Sequence, residues 1–123
     1  MGLRKTCRQR SLVMSYKAKQ GDIITLDFDP QAGHEQQGRR PALVVSNDSF
    51  HKRTNLAMVC PITNSTSGFP MHILLDNRTK TTGEIMCEQA KCFDIKARNA
   101  KFKESVPQEI IDEAIDIICG IIE

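Results

Sequence analysis

The chain has 123 residues, 40% hydrophobic and 26% charged, a composition that supports one packed domain and excludes disorder over the whole chain. No apolar run nears the ~18 residues that a membrane span requires. With no Trp and 5% aromatics, the composition also argues against a wide base-stacking platform. The net charge of +2 conceals an asymmetry: residues 1–103 hold all 17 Lys and Arg against nine acids, whereas residues 104–123 carry six acids and no base. A basic body suits a polyanionic partner such as nucleic acid.

Residues 1–19 carry Arg4, Lys5, Arg8, Arg10, Lys17 and Lys19, no acid and no periodicity. They are expected to form a poorly ordered basic arm, with Met14 an alternative initiator. The arm lacks the apolar segment and small-residue cleavage site of a secretory signal. Residues 20–123 then read as one domain. Ile23–Phe28 alternates as a half-buried strand and stops at Asp29-Pro30; 31–40 is a polar loop. Leu43–Ser46 and Leu56–Ile62 are buried strands separated by a polar stretch. After a turn cluster at Ser65–Pro70, Met71–Leu75 and Glu84–Glu88 form two more strands, joined by a turn at Thr79–Gly83. Strands that follow one another without helices predict an antiparallel barrel or sandwich.

The last segment changes period. Ser105-Val-Pro-Gln is an S-x-x-Q capping sequence with Pro107 in the first turn, opening a helix over about 106–122. Ile110, Ile111, Ala114, Ile115, Ile117, Ile118, Ile121 and Ile122 make its apolar face; Glu109, Asp112, Glu113 and Asp116 occupy the other. The fold class is mainly β with a C-terminal helix. The five cysteines (Cys7, Cys60, Cys87, Cys92, Cys119) are odd in number and form no C-x-x-C, so no zinc site and no metal is expected. Cys60, Cys87 and Cys119 read as small buried hydrophobes, and a reduced cytoplasm is the expected compartment.

Three polar clusters can carry chemistry. Gly33-His34-Glu35-Gln36-Gln37-Gly38-Arg39-Arg40-Pro41 joins an imidazole, a carboxylate, two amides and two guanidiniums in one glycine-bearing loop. Arg matches phosphate oxygens, while Glu and His can exchange protons. Pro61-Ile62-Thr63-Asn64-Ser65 sets hydroxyls and an amide at a strand end, and Glu88-Gln89 follows another strand, with Asp94 and Arg98 beyond it. The structural alternatives are a solvated hairpin tip, an ordinary turn and a carboxylate satisfying backbone groups.

In order along the chain, Gly21-Asp22-Ile23, Asp27-Phe28-Asp29-Pro30, Gly33–Gly38, Arg40-Pro41-Ala42-Leu43-Val44 and Pro61-Ile62-Thr63 resemble the MazF/PemK toxin family. Thr81-Thr82-Gly83, Glu88-Gln89, Asp94-Ile95 and Ala97-Arg98 before the helix are similar to its Kid/PemK branch. The resemblance implies a small SH3-like (CcdB/PemK-type) antiparallel barrel that forms a homodimer. It further implies a bacterial toxin that cuts single-stranded RNA or mRNA within short sequences, without metal or cofactor, leaving a cyclic phosphate and a 5′-hydroxyl. An acidic antitoxin that folds on binding would block the groove.

By that resemblance Glu35, Arg40 and Thr63 occupy active-site positions, with His34 beside them. Gln36, Gln37 and Gly38 fall on a loop that helps hold RNA; Arg39, Asn64, Ser65, Thr82, Glu88 and Gln89 are the further RNA-binding positions. Glu35 is assigned as the base for the 2′-proton and His34 as the acid for the leaving oxygen, with Arg40 and Thr63 directed at the phosphorane. One departure stands out: the branch carries an Arg and an Asp, given acid and base roles, where this chain has Met86 and Glu88. Methionine donates no proton, although Glu88 can still serve as a base. The alternatives are a non-catalytic, gyrase-binding CcdB-like poison and an inactive paralogue that binds RNA or antitoxin.

Overall fold

A computed structural model describes residues 16–28, 39–65 and 67–123. Among these residues seven strands form one antiparallel sheet: β1 (Asp22–Asp27), β2 (Arg39–Val44), β3 (Leu56–Thr63), β4 (His72–Leu74), β5 (Glu84–Met86), β6 (Lys91–Asp94) and β7 (Lys101–Ser105). Helix α1 (Asp48–Arg53) interrupts the strand series, a 3-10 turn spans Cys87–Gln89, and α2 (Gln108–Ile122) ends the chain. The sheet order is β4-β5-β3-β2-β1-β7, and β3 also pairs with β6. The long β3 therefore serves two partners on one edge: its first half pairs with β6 (Leu56 opposite Asp94) and its end with β5 (Thr63 opposite Glu84). That split bends the sheet into an incompletely closed barrel. The mainly β class with a C-terminal helix is as expected.

The bend explains why β1 is not half-buried as its alternation suggests. Ile23 and Ile24 are both fully buried, on opposite faces. Ile23 joins Leu43, Cys60, Ile62, Ile73 and Ile85 beneath Ile110, Ile111 and Ala114 of α2. Ile24 and Leu26 join Ala42, Val44, Ala57, Val59 and Phe93 inside the curl. Each fully buried Ile, Leu or Val among these contributes about 1.5–3 kcal/mol through removal from water.

Several local expectations are corrected. Helix α2 starts at Gln108, with Pro107 at the N-cap and no side-chain cap bond. Ser105 is not free to cap because it ends β7 opposite Asp22, towards whose Oδ1 its hydroxyl points at 3.5 Å. Cys60 and Cys87 are buried, but Cys119 is exposed. The polar stretch after β2 contains α1, capped by Asn47 Oδ1, which accepts from the Phe50 amide at 2.9 Å. Strands β6 and β7 carry lysines on an open edge and so lack a plain apolar alternation. Of the arm expected over 1–19, residues 1–15 lie outside the described residues. Tyr16 docks onto the inner core and donates its hydroxyl to the Asp22 carboxylate.

Candidate active site

Strand register determines which polar groups meet. Between β2 and β3, Ala42 lies opposite Pro61, Leu43 opposite Cys60 and Val44 opposite Val59. Continued by two residues, the same pairing sets Arg40 across from Thr63. Thr63 in turn lies opposite Glu84 of β5, and Glu84 opposite Leu74 of β4. Directly opposed residues share a face, so Arg40, Thr63, Glu84 and Leu74 form one row across four strands. With strands spaced about 4.8 Å apart, the first three span about 10 Å. Ala42 and Val44 cover the inner core on this same face; beyond them the row holds the polar Arg40, Thr63 and Glu84 and ends on the exposed Leu74.

Each group in the row has a defined state. Thr63 Oγ1 accepts from the Ser65 amide at 3.1 Å, which occupies an oxygen lone pair and leaves the hydroxyl proton available to a ligand. Asn64 Oδ1 accepts from the Thr82 hydroxyl at 3.1 Å, so the second cluster and the β4–β5 turn are joined. The neighbouring Arg39 points to the other face. Its guanidinium is engaged with Asp27 Oδ1 (2.9 Å), the Thr25 carbonyl (2.9 Å) and hydroxyl (3.0 Å), and the Asn99 carbonyl (2.6 Å). Arg40 makes no such commitment to any described residue and is partly exposed. Glu35, His34, Gln36, Gln37 and Gly38 lie outside the described residues.

Sequence reasoning passed over two members of this face, His72 and Glu84. His72 of β4 lies opposite Met86, one pleat along from the Leu74–Glu84 pair. Its Nδ1 is 2.8 Å from Glu84 Oε1 and its Nε2 is 3.0 Å from Glu88 Oε2. Glu84 is buried and also accepts from the amides of Ser67 and Gly68, both at 3.2 Å. Burial works against a charged His72, but the two carboxylate bonds outweigh it and its pKa is raised above the usual 6.5. The bond to His72, with help from the two amides, holds Glu84 below its usual 4.5. Gln89 Nε2 reaches Glu88 Oε2 at 3.4 Å. Beyond Gln89, Asp94 Oδ1 accepts from the Ala97 amide, and Arg98 lies over the Phe93 ring.

Among the described residues, no three His, Cys, Asp or Glu side chains converge as a metal site needs, and no helix is long and apolar enough to cross a membrane. A cleft of about 530 Å³ lined by Lys17, Lys19, Lys52, Lys96 and His51 contains none of the described site residues.

With this geometry in place, comparison with known proteins is direct. Residues 19–122 match the family described as PemK-like, MazF-like toxin of type II toxin-antitoxin system. Endoribonuclease PemK of Escherichia coli is 40% identical over 103 residues, covering 79% of this chain and 76% of that protein. Endoribonuclease toxin MazF of Escherichia coli K12 is 33% identical over 112 residues, covering 89% of this chain and all of that one. The crystal structure of MazE-MazF (Form-II) from Deinococcus radiodurans superimposes with a TM-score of 0.80 at 30% identity, over 88% of this chain and 97% of that one. The row of polar groups thus lies on a known scaffold: the chain belongs to the PemK-like, MazF-like toxins of type II toxin–antitoxin systems.

Proposed function

We propose that this toxin is an endoribonuclease that cuts single-stranded RNA, mRNA included, by attack of the ribose 2′-hydroxyl on the adjacent phosphodiester, without a metal. The products are a 2′,3′-cyclic phosphate and a 5′-hydroxyl. The observation that carries this reading is the β2–β3 register, which, continued by two residues, sets Arg40 across from Thr63. A guanidinium and a free hydroxyl proton on neighbouring strands can both donate to the oxygens of a phosphorane as its charge builds. The family and the endoribonuclease names of its relatives support the reaction class.

The 2′-proton passes to a carboxylate. Glu35, between β1 and β2 in sequence, is one such group and Glu88 of the 3-10 turn is the other; His34 is the proposed donor to the leaving oxygen. Gln36, Gln37, Gly38, Asn64, Ser65, Thr82 and Gln89 would contact the RNA strand; Arg39, expected among them, is instead committed to Asp27, Thr25 and Asn99 on the opposite face. The proposal includes action in the cytoplasm as a homodimer, with an acidic antitoxin segment folding over the groove as a mimic of the polyanion. MazF of Deinococcus radiodurans crystallised with MazE, which supports that pairing.

The test is incubation of the pure protein with an unstructured RNA and its 2′-deoxy counterpart in chelator. Cleavage of the RNA alone, giving 5′-hydroxyl ends, is expected. An intact RNA under conditions where the protein still arrests growth would favour the non-catalytic poison.

A further inference from the structure

Resting on the nuclease reading, the remaining question is which carboxylate is made ready for the proton, and by what. We propose that Glu84 and His72 are positioning residues for Glu88: a buried carboxylate–imidazole pair, on the sheet face of Thr63, that fixes one Glu88 oxygen and leaves the other without a partner among the described residues.

The geometry carries the idea. The His72 and Glu84 side chains are 9% and 6% exposed, while that of Glu88 is 28% exposed, so the chain of contacts runs from the interior to the surface. Glu84 is locked by the Ser67 and Gly68 amides and by His72 Nδ1. The Phe69 ring packs edge-on against the imidazole at 5.1 Å. Both ring nitrogens therefore face carboxylate oxygens, an arrangement that an imidazole satisfies through two N–H donors only when protonated. The imidazolium occupies the side of the sheet where Met86 supplies no charge. Glu84 and Glu88 are the groups that face it; the Cys87 thiol, within the 3-10 turn, feels both the imidazole and Glu113 of α2.

In the step proposed, the 2′-oxygen loses its proton to the open oxygen of Glu88. The O2′–P bond forms and the P–O5′ bond breaks, with a proton delivered to O5′ by the acid. His72 keeps its Nε2 proton bonded to the other Glu88 oxygen throughout. A neutral His72 would lose that donor and release Glu88, so the rate should fall on the alkaline side as His72 titrates, above its usual 6.5.

The experiment measures RNA cleavage across pH by wild type, His72→Gln, Glu88→Gln and Glu84→Gln, with urea unfolding of each as a check on folding. A His72→Ala protein is also assayed with and without added imidazole. The expected results are a fall in kcat of at least about 10-fold for His72→Gln with KM within about twofold, loss of the alkaline limb, and partial recovery of His72→Ala by imidazole. Glu88→Gln should lose at least as much. A folded His72→Gln protein that cuts at the wild-type rate with an unchanged pH profile overturns the proposal alone. If His72→Gln raises KM without changing kcat, the clamp has only a binding role and the proposal also fails. Wild-type protein that leaves RNA intact overturns the nuclease reading, and the clamp's role with it.

Discussion

Gly83 lies against the backbone of Thr63: a β-carbon added to it would sit 2.3 Å from the Thr63 carbonyl oxygen and 3.0 Å from Asn64 Oδ1. The residue also has φ of +118°, a conformation that side chains rarely adopt. No rotamer change can relieve a clash with backbone, so Gly83→Ala must move either β5 or the end of β3. The expected cost is about 1–3 kcal/mol in urea unfolding. Cleavage should drop more than stability suggests, because the displaced atoms carry the Thr63 hydroxyl.

Arg40 and Thr63 should separate by the charge they supply. Arg40→Ala is expected to lower kcat by about 10²–10³ while leaving the circular dichroism spectrum and unfolding midpoint near wild type, since no described partner depends on it. Thr63→Val removes the phosphorane donor and also the acceptor for the Ser65 amide. It should therefore lose both activity and about 0.5–1.5 kcal/mol of stability. Equal stability losses for the two variants would mean that Arg40 is a structural residue.

Much of this architecture was legible in the chain. The Ile-rich period of α2 and the apolar runs of β2 and β3 are dictated by burial, and burial leaves a pattern. The Thr63 and Arg40 positions were reached through short motifs, and the register that aligns them follows from the runs on either side. What was not legible depends on contacts distant in sequence. β6 and β7 are strands because β3 and β1 offer them edges, and their own lysine-rich sequences show little sign of it. Ser105 resembled a cap because the Asp22 carboxylate that occupies it is 83 residues away. His72 looked like one polar residue in a short strand. Only pairing of β4 with β5, followed by the 3-10 turn, brings it between Glu84 and Glu88.

Glu104 anchors the turn that presents Thr82. Its carboxylate accepts from the Lys80 amide at 3.0 Å, the Thr81 amide at 2.7 Å and the Thr81 hydroxyl at 2.7 Å. Burial opposes its charge, but these donors prevail and hold it below the usual 4.5. Glu104→Ala leaves the half-buried donors without an acceptor and should cost about 1–3 kcal/mol. Hydrogen exchange at Lys80 and Thr81 should accelerate before exchange in β1 changes. Uniform acceleration across the sheet would show that the carboxylate holds more than the turn.

The His72–Glu84 pair gives stability a dependence on both sides of neutrality. Glu84 has a depressed pKa, so its contribution is present above its unfolded value, near 4.5, and is lost as pH falls through the lower folded value. His72 has a raised pKa, so its contribution is complete below its unfolded value, near 6.5, and is lost as pH rises through the higher folded one. The pair therefore stabilises most between those limits. Urea midpoints measured across about pH 3–9 should decline on the alkaline side for wild type but remain level there for His72→Gln. The acid-side decline should be blunted, not abolished, in the variant, because Asp27 and Glu104 also have depressed values. An alkaline decline that survives in folded His72→Gln would assign it to another group and remove the imidazolium from the pair.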